Sequence, residues 1–409
     1  MKKYDLIIVG GGAAGMFAAF AVKEKNPSAK ILLIEQNEKL GKKIYITGKG
    51  RCNVTNACDI SEYFDNIKTN PEFLYSSLYT FTNEDTMNFF QKQNVPLKIE
   101  RGNRVFPKSD KSSDIIKGLT RSINNADIHL NEKVEKIDKF NGYFNVLTNK
   151  NKYESPKLII ATGGLSYPAT GSTGDGYNFA KAFGHKIMEL KPSLCPIILD
   201  DNNLSMVTGL TVKNAEITVY INKKKEISYF GDFLFTHRGI SGPIVLTLTD
   251  FINDYPDKAI ELYCNFKPAV DIKELEERLL KDIDKNPKKE LKSILKNYFP
   301  ESLADYLLAS AKINPKLKLH EITKDLRKNI LNLMTSYKFS YKNIAPISQA
   351  IITKGGVSTL EINPSTMESK IVDGLYFCGE IIDVNGLTGG YNLQIAFSTG
   401  YLAGKSVFK

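Results

Sequence analysis

A short apolar run that ends in a glycine turn fixes the start of this chain. Lys2 to Val9 read KKYDLIIV, Gly10 to Gly15 read GGGAAG, and helix-forming residues continue from Met16 to Val22. Gly10, Gly12 and Gly15 make a G-x-G-x-x-G. In such a turn one glycine permits the tight bend, one lets backbone approach a pyrophosphate, and one lets the helix pack on the strand. The helix N-terminus then offers free N–H groups and a positive dipole end to phosphate. A second apolar run, Lys30 to Ile34, ends at Glu35, 20 residues beyond Gly15, where a ribose-binding carboxylate belongs. A glycine-rich turn in some other α/β protein would not need this order of strand, turn, helix, strand and acid. The motif alone serves FAD and NAD equally.

The stretch after Glu35, GKKIYITGKGRCNVTN (Gly41 to Asn56), has too few apolar residues to build a core. It carries Lys42, Lys43, Lys49 and Arg51 among Gly41, Gly48 and Gly50, then Cys52 and Asn53. Beside a dinucleotide site it reads as a cofactor loop, with one or two basic residues on the pyrophosphate; ordinary surface charge is the alternative. Another buried strand, Lys157 to Ala161, runs into Thr162, Gly163 and Gly164, with Gly171, Gly174 and Gly176 following. No second complete fingerprint accompanies it. One dinucleotide is therefore expected to be held permanently, which favours FAD, and any second one only transiently. Near the C-terminus the strand LYFC (Leu375 to Cys378) meets Gly379 and Glu380, then Asp383, Gly386, Gly389 and Gly390, before a helix from Tyr391 to Val407. That unit can complete the first sheet and aim a second helix N-terminus at the same cofactor.

Between these ends the texture changes. Alternating stretches from about Pro192 read as antiparallel strands, and FLFTHRGISGP (Phe233 to Pro243) leads into a helix. His237 is a candidate proton donor or a core histidine, and Ser241 reads as the helix N-cap. Asp271 to Ser336 is helical and lysine-rich, with Leu275, Leu279 and Leu280 on an apolar stripe. The expected architecture is α/β: a Rossmann-like dinucleotide domain from both chain ends (1–191 and 345–409), an inserted β-barrel-like domain (192–270 and 337–344) and a small helical subdomain (271–336).

Composition narrows the partners. Lys+Arg 55 against Asp+Glu 45 gives net +10, which suits a polyanion such as nucleic acid, although a Lys- and Asn-rich composition gives the same sum. Five scattered cysteines, Cys52, Cys58, Cys195, Cys264 and Cys378, form no disulfide framework, and four histidines make a His-rich metal site unexpected. No apolar run approaches the ~20 residues of a membrane span and no signal peptide is visible, so a cytoplasmic protein without membrane or metal is expected.

In order along the chain, GGGAAG, GKKIYITGKGRCNVTN, LFTHRGISGP, TKGGV with EINPSTMESK, and GLYFCGEIIDVNGLTGGYNLQIAFSTG resemble the bacterial BaiN/RdsA family of FAD flavoproteins, also labelled aminoacetone oxidase-like. The resemblance spans essentially the whole chain. It implies FAD contacts at Gly10, Gly12, Ala13, Ala14, Gly15, Glu35, Lys42, Lys43, Gly50, Arg51, Cys52 and Asn53. At the other end it implies contacts at Gly379, Glu380, Asp383, Gly390, Tyr391 and Asn392. Either Glu380, in place of a commoner aspartate, or Asp383 would meet the ribityl hydroxyls. Members of the family have been tied to a ribosomal RNA uracil, to the enone of an oxidised bile acid and to an amino ketone. The first two share hydride delivery from reduced flavin to the β carbon of an α,β-unsaturated carbonyl, with a proton for the α carbon. The resemblance thus implies an rRNA dihydrouridine synthase reloaded by NADPH or NADH, with Cys52 or His237 as proton donor and RNA held by basic surface. A reductase of a small enone metabolite, an amine oxidase, and a flavin-bearing sensor without turnover are the alternatives.

Overall fold

The computed structural model describes residues 2–408. The chain forms two compact units: one ends at Pro192 and resumes at Ile347, and the other is Ser193–Pro346.

The first unit is built on five parallel strands: β1 (Leu6–Val9), β2 (Ile31–Ile34), β3 (Asp127–His129), β4 (Leu158–Ile160) and β5 (Leu375–Phe377). Their order is β5-β4-β1-β2-β3, and every pairing in it is parallel. β1 and β2 read LIIV and ILLI with every residue buried, the continuous apolar pattern of strands covered on both faces. Strand order reverses between β1 and β4, and in such sheets the crevice beyond the strands' carboxyl ends is where a nucleotide binds. An antiparallel meander, Val134–Phe140, Tyr143–Thr148 and Lys152–Ser155, connects β3 to β4.

Two helices cross beneath this crest: α1 (Ala13–Lys25) and α2 (Tyr391–Val407). α1 is rich in alanine and buried on most of its circumference, and it stops at Asn26 before Pro27. A side chain at Gly400 or Gly404 would overlap the Ala14 or Ala18 carbonyl oxygen. The chain termini are therefore locked together by small residues, which is how a strand 370 residues downstream joins the first sheet.

The second unit has an antiparallel sheet in the order Tyr337–Phe339, Ile260–Asn265, Thr211–Ile221, Lys224–Thr236, Gly239–Ser241, Ile197–Leu199, Tyr341–Ile344. Its two edge strands are consecutive in sequence, separated only by Ser340, so the sheet must curl to place them at opposite edges. The edges are not paired among the described residues, so the expected barrel-like domain is a curled but open sheet. The helices Ile272–Lys285, Leu291–Leu295, Glu301–Ser310 and Lys324–Thr335 belong to the same unit. Leu275, Leu279 and Leu307 share one core with Ile217, Val219 and Phe233 of the sheet, so the helical segment is a layer on the sheet rather than a third body.

Candidate cofactor site

The glycine turn meets the geometric demands of a pyrophosphate cradle. Gly10 has φ +107°, a conformation that favours glycine, and its backbone runs against Ala161 and Thr162 at the end of β4. A Cβ on Gly15 would overlap the Gly10 carbonyl oxygen, whereas one on Gly12 would meet nothing within 4 Å. Gly15 thus allows helix to close on strand, and Gly12 leaves open space. Gly12 caps α1 without a side-chain hydrogen bond, and no acid occupies the first turn, so the N–H groups at Ala13 and Ala14 face that space unopposed by charge.

Glu35 is fixed at the end of β2 and is 9% exposed. Its carboxylate accepts from the Gly11 N–H at 2.8 Å, and from the Asn37 N–H and side-chain Nδ2 at 2.8 and 2.6 Å. These bonds hold the acid beside the turn.

The C-terminal segment reaches the same crest. A Cβ on Gly379 would stand 2.7 Å from the Ala14 Cβ, which places this turn directly on the α1 N-terminus. Glu380 is clamped by Lys43 Nζ at 2.7 Å, Ser166 Oγ at 2.9 Å and the Thr353 N–H at 2.8 Å. Asp383 is 8% exposed and accepts from Asn70 Nδ2 at 3.1 Å; burial raises its carboxyl above the ordinary aspartate range, opposed by Asn70 and Lys354. Gly390, at φ +103°, caps α2 where the Thr55 backbone leaves no room for a Cβ. Tyr391 packs edge-on to Tyr63 at 5.0 Å, and burial raises its phenol. Asn392 staples its own loop: its Nδ2 donates to the Gly386 carbonyl at 2.7 Å and its Oδ1 accepts from the Gly386 N–H at 2.9 Å.

The Gly41–Asn56 loop is strongly kinked. Gly48 and Gly50 have positive φ, and so do the non-glycine residues Lys49 (+57°) and Cys52 (+63°). Such backbone persists only where its surroundings hold it. The basic side chains divide. Lys43 is in the Glu380 clamp, while Lys42 pairs with Glu38 at 3.1 Å. Arg51 pairs with Glu100 and with Asp110 at 2.7 Å and lies over the Phe106 ring at 4.2 Å. Arg51 and Lys42 are thus committed to protein carboxylates rather than held free for phosphate. Cys52 has no exposed surface, and burial pushes its thiol up to about 12. It keeps its proton at neutral pH, and reaching a ligand would require this loop to rearrange.

Asn53 Oδ1, Thr162 Oγ1 and Tyr177 OH of this unit are buried without a hydrogen-bond partner among the described residues. Buried polar groups are normally satisfied, so these await one. Thr162 follows β4 at the topological switch, and Tyr177 feels the charges of Glu380 and Asp383. With the open space at Gly12 and the two helix N-termini, they fit an elongated polar dinucleotide.

His237 belongs to the second unit. It is exposed in the turn between Lys224–Thr236 and Gly239–Ser241 of the second unit, whereas every cofactor candidate is in the first. Ser241 is not the helix cap: Gly242, at φ +98°, takes that position and Pro243 follows at the first turn. Ser166, Thr353 and Asn37, which set the two acids, belong to no motif visible in the sequence. Ser166 and Thr353 meet across 187 residues, a pairing no local pattern announces.

Parallel sheet, glycine cradle, anchored acid and returning C-terminal helix define a Rossmann-type FAD-binding fold of oxidoreductases. The family model described as HI0933-like protein Rossmann domain matches residues 4–406, and the chain belongs to that family. Proteins named ribosomal RNA dihydrouridine synthase from Haemophilus influenzae and Escherichia coli are 30% and 31% identical to it, over 100% and 98% of this chain and 99% and 97% of theirs. A 3-dehydro-bile acid delta(4,6)-reductase from Clostridium scindens is 30% identical over 98% of both chains. Among solved structures, the FrdA chain of an E. coli quinol fumarate reductase superposes with TM-score 0.52 at 16% identity, over 100% of this chain and 70% of that one. At that identity the likeness concerns the fold. Among the described residues no group of three or more His, Cys, Asp or Glu is arranged to hold a metal, and no helix is long and apolar enough to cross a membrane.

Proposed function

We propose that this protein is an FAD-dependent reductase of an α,β-unsaturated carbonyl whose substrate is a uridine of ribosomal RNA, with NADPH or NADH as transient reductant. End-to-end similarity to two proteins named for rRNA dihydrouridine synthesis carries the substrate assignment. FAD supplies the hydride when bound and reduced. The chain's own groups hold and orient it: the Gly10–Gly15 turn and α1 N-terminus at the pyrophosphate, and Glu35 at the adenosine ribose. Asp383, Tyr177 and the α2 N-terminus face the remainder. Glu380, held by three donors, and Asp383, held by Asn70, are the two acids offered to the ribityl hydroxyls.

The substrate's α carbon needs a proton. His237 offers an exposed imidazole, and Cys52 a protonated but buried thiol. Under this reading His237→Gln slows substrate-driven flavin reoxidation and Cys52→Ala leaves it intact; the reverse pattern assigns the donor to Cys52.

A second reading, reduction of a small enone, draws on the C. scindens relative at the same identity. Anaerobic enzyme reduced by NAD(P)H is mixed with unmodified rRNA or with a 3-oxo-Δ4 steroid, and flavin absorbance is followed. Reoxidation by RNA, with a 2-Da mass gain on one uridine, is expected. Reoxidation by the steroid alone, with no dihydrouridine lost from rRNA of a deletion strain, sinks the RNA assignment. A flavin that responds to no reductant or acceptor points to a sensor.

A further inference from the structure

The strands Leu97–Glu100 and Arg104–Pro107 form a hairpin rich in basic side chains. Residues 97–111 hold five basic side chains (Lys98, Arg101, Arg104, Lys108, Lys111) and two acids (Glu100, Asp110). Both acids are already paired: Arg51 pairs with both, and Lys98 reaches them at 3.3 and 2.7 Å. Arg101, Lys108 and Lys111 are exposed, and among the described residues no carboxylate lies within ion-pair distance of them or of Arg104. With both acids already paired, the hairpin and the turn after it keep four cations that lack an ion-pair partner among the described residues.

Its tip is fastened to the cofactor end of the unit. Asn56 Nδ2 donates to the Gly102 carbonyl at the tip at 3.1 Å and to the Gly389 carbonyl, one residue before the α2 cap, at 3.0 Å. The Ala57 N–H donates to the Asn103 carbonyl at 2.7 Å and the Val54 N–H to the Val105 carbonyl at 2.8 Å. Gly102 and Asn103 have φ of +75° and +57°, a tight turn that holds Arg101 and Arg104 at the apex. One side-chain amide thus joins the basic tip to the turn that opens α2.

We propose that this hairpin is a phosphate-binding clamp that holds the sugar–phosphate backbone of an RNA substrate while one base reaches the flavin site. The assignment rests on the RNA reading above. Backbone phosphates demand several cations along a line and give binding a steep salt dependence, whereas a small enone needs neither. The base must leave its stack for the flavin, and flanking phosphate contacts are what hold the strand while it does.

The test uses full-length holoenzyme with Arg101→Ala, Lys108→Ala and Lys111→Ala combined. None of these side chains is packed in the core, so the bound-flavin spectrum and NAD(P)H-driven flavin reduction stay at wild-type values. A control combines Lys273→Ala, Lys281→Ala and Lys288→Ala on exposed positions of the second unit, with the same loss of charge. With in vitro transcribed rRNA, the hairpin variant is expected to bind at least about tenfold more weakly. Its slope of log affinity against log salt is expected to fall by about 2, at ~0.7 per single-strand phosphate contact. The control and the response to a small enone remain unchanged. Wild-type RNA binding by the hairpin variant overturns the clamp, as does an equal loss in the control or an equal rise in KM for the enone. If wild-type enzyme neither binds nor reduces rRNA, the RNA reading fails with it; if wild type reduces rRNA and the variant matches it, only the clamp fails.

Discussion

Gly12 and Gly15 are three residues apart, and the same substitution has opposite meanings at the two positions. Gly15→Ala forces a methyl into the Gly10 carbonyl, so it is expected to lose several kcal/mol of stability and the folded apoprotein with it. Gly12→Ala meets no protein atom and keeps extended φ/ψ, so thermal stability of the apoprotein should match wild type while flavin affinity drops. Flavin release on ultrafiltration, read beside apoprotein melting curves, separates the two. The thiols give a second check: all five cysteines are buried, with Cys52 pushed up to about 12 and Cys195 to about 11 by burial. Native protein at pH 8 should therefore react with iodoacetamide far more slowly than the urea-unfolded chain. Asp383 supplies the pH dependence. Burial raises its folded carboxyl above the unfolded value, so its favourable contribution is full at acid pH and is lost as pH rises through the folded value. Asp383→Asn should accordingly raise apoprotein Tm at pH 7, with the gain vanishing below the ordinary aspartate range.

Elements whose identity rests on their own sequence were legible, and those set by distant partners were not. β1, β2 and β4 read as apolar runs, and α2 reads as Tyr391–Val407 from the glycines before it and its helix formers. The cap before Pro243 escaped because serine competes with glycine there, and only the left-handed φ of Gly242 decides between them. The ion pairs of Arg51 escaped because Glu100 and Asp110 lie 49 and 59 residues away. Gln394 makes the same point. From the first turn of α2 its Oε1 accepts from Thr55 and Thr86 hydroxyls at 2.7 and 2.8 Å, and its Nε2 donates to Ser398 Oγ at 3.0 Å and to the Phe81 carbonyl at 3.2 Å. That fully satisfied, fully buried amide ties the cofactor-side loop to the C-terminal helix. Gln394→Leu removes four buried hydrogen bonds, but Thr55 keeps the Tyr63 hydroxyl at 2.8 Å and Thr86 the Thr82 carbonyl at 3.2 Å, so the loss in urea unfolding is expected to be about 2 kcal/mol, below the sum for four bonds at roughly 1 kcal/mol each.

The molecule divides its labour along the chain cut at Pro192 and Pro346. Each unit has its own core: β1, β4, α1 and α2 around Phe17 and Phe397 in one, the curled sheet and its helical layer around Phe233 and Leu248 in the other. Every side chain proposed to hold FAD belongs to the discontinuous unit, whose two halves are held together by the α1–α2 contact and by β5 on β4. The other unit is a single continuous segment, and His237 belongs to it. A ligand that binds only the folded state stabilises by RT ln(1 + [L]/Kd), and that gain falls on the unit that makes the contacts. Removing FAD should therefore lower one calorimetric transition, by about 4 kcal/mol if the cofactor is present at ~1,000 times its Kd, and leave a second largely in place. The segment 193–346 expressed alone should give the second transition at nearly the temperature seen in the whole chain. A single transition that moves as a whole on flavin removal would instead mean that the two cores unfold as one, with the cofactor's binding energy shared between them.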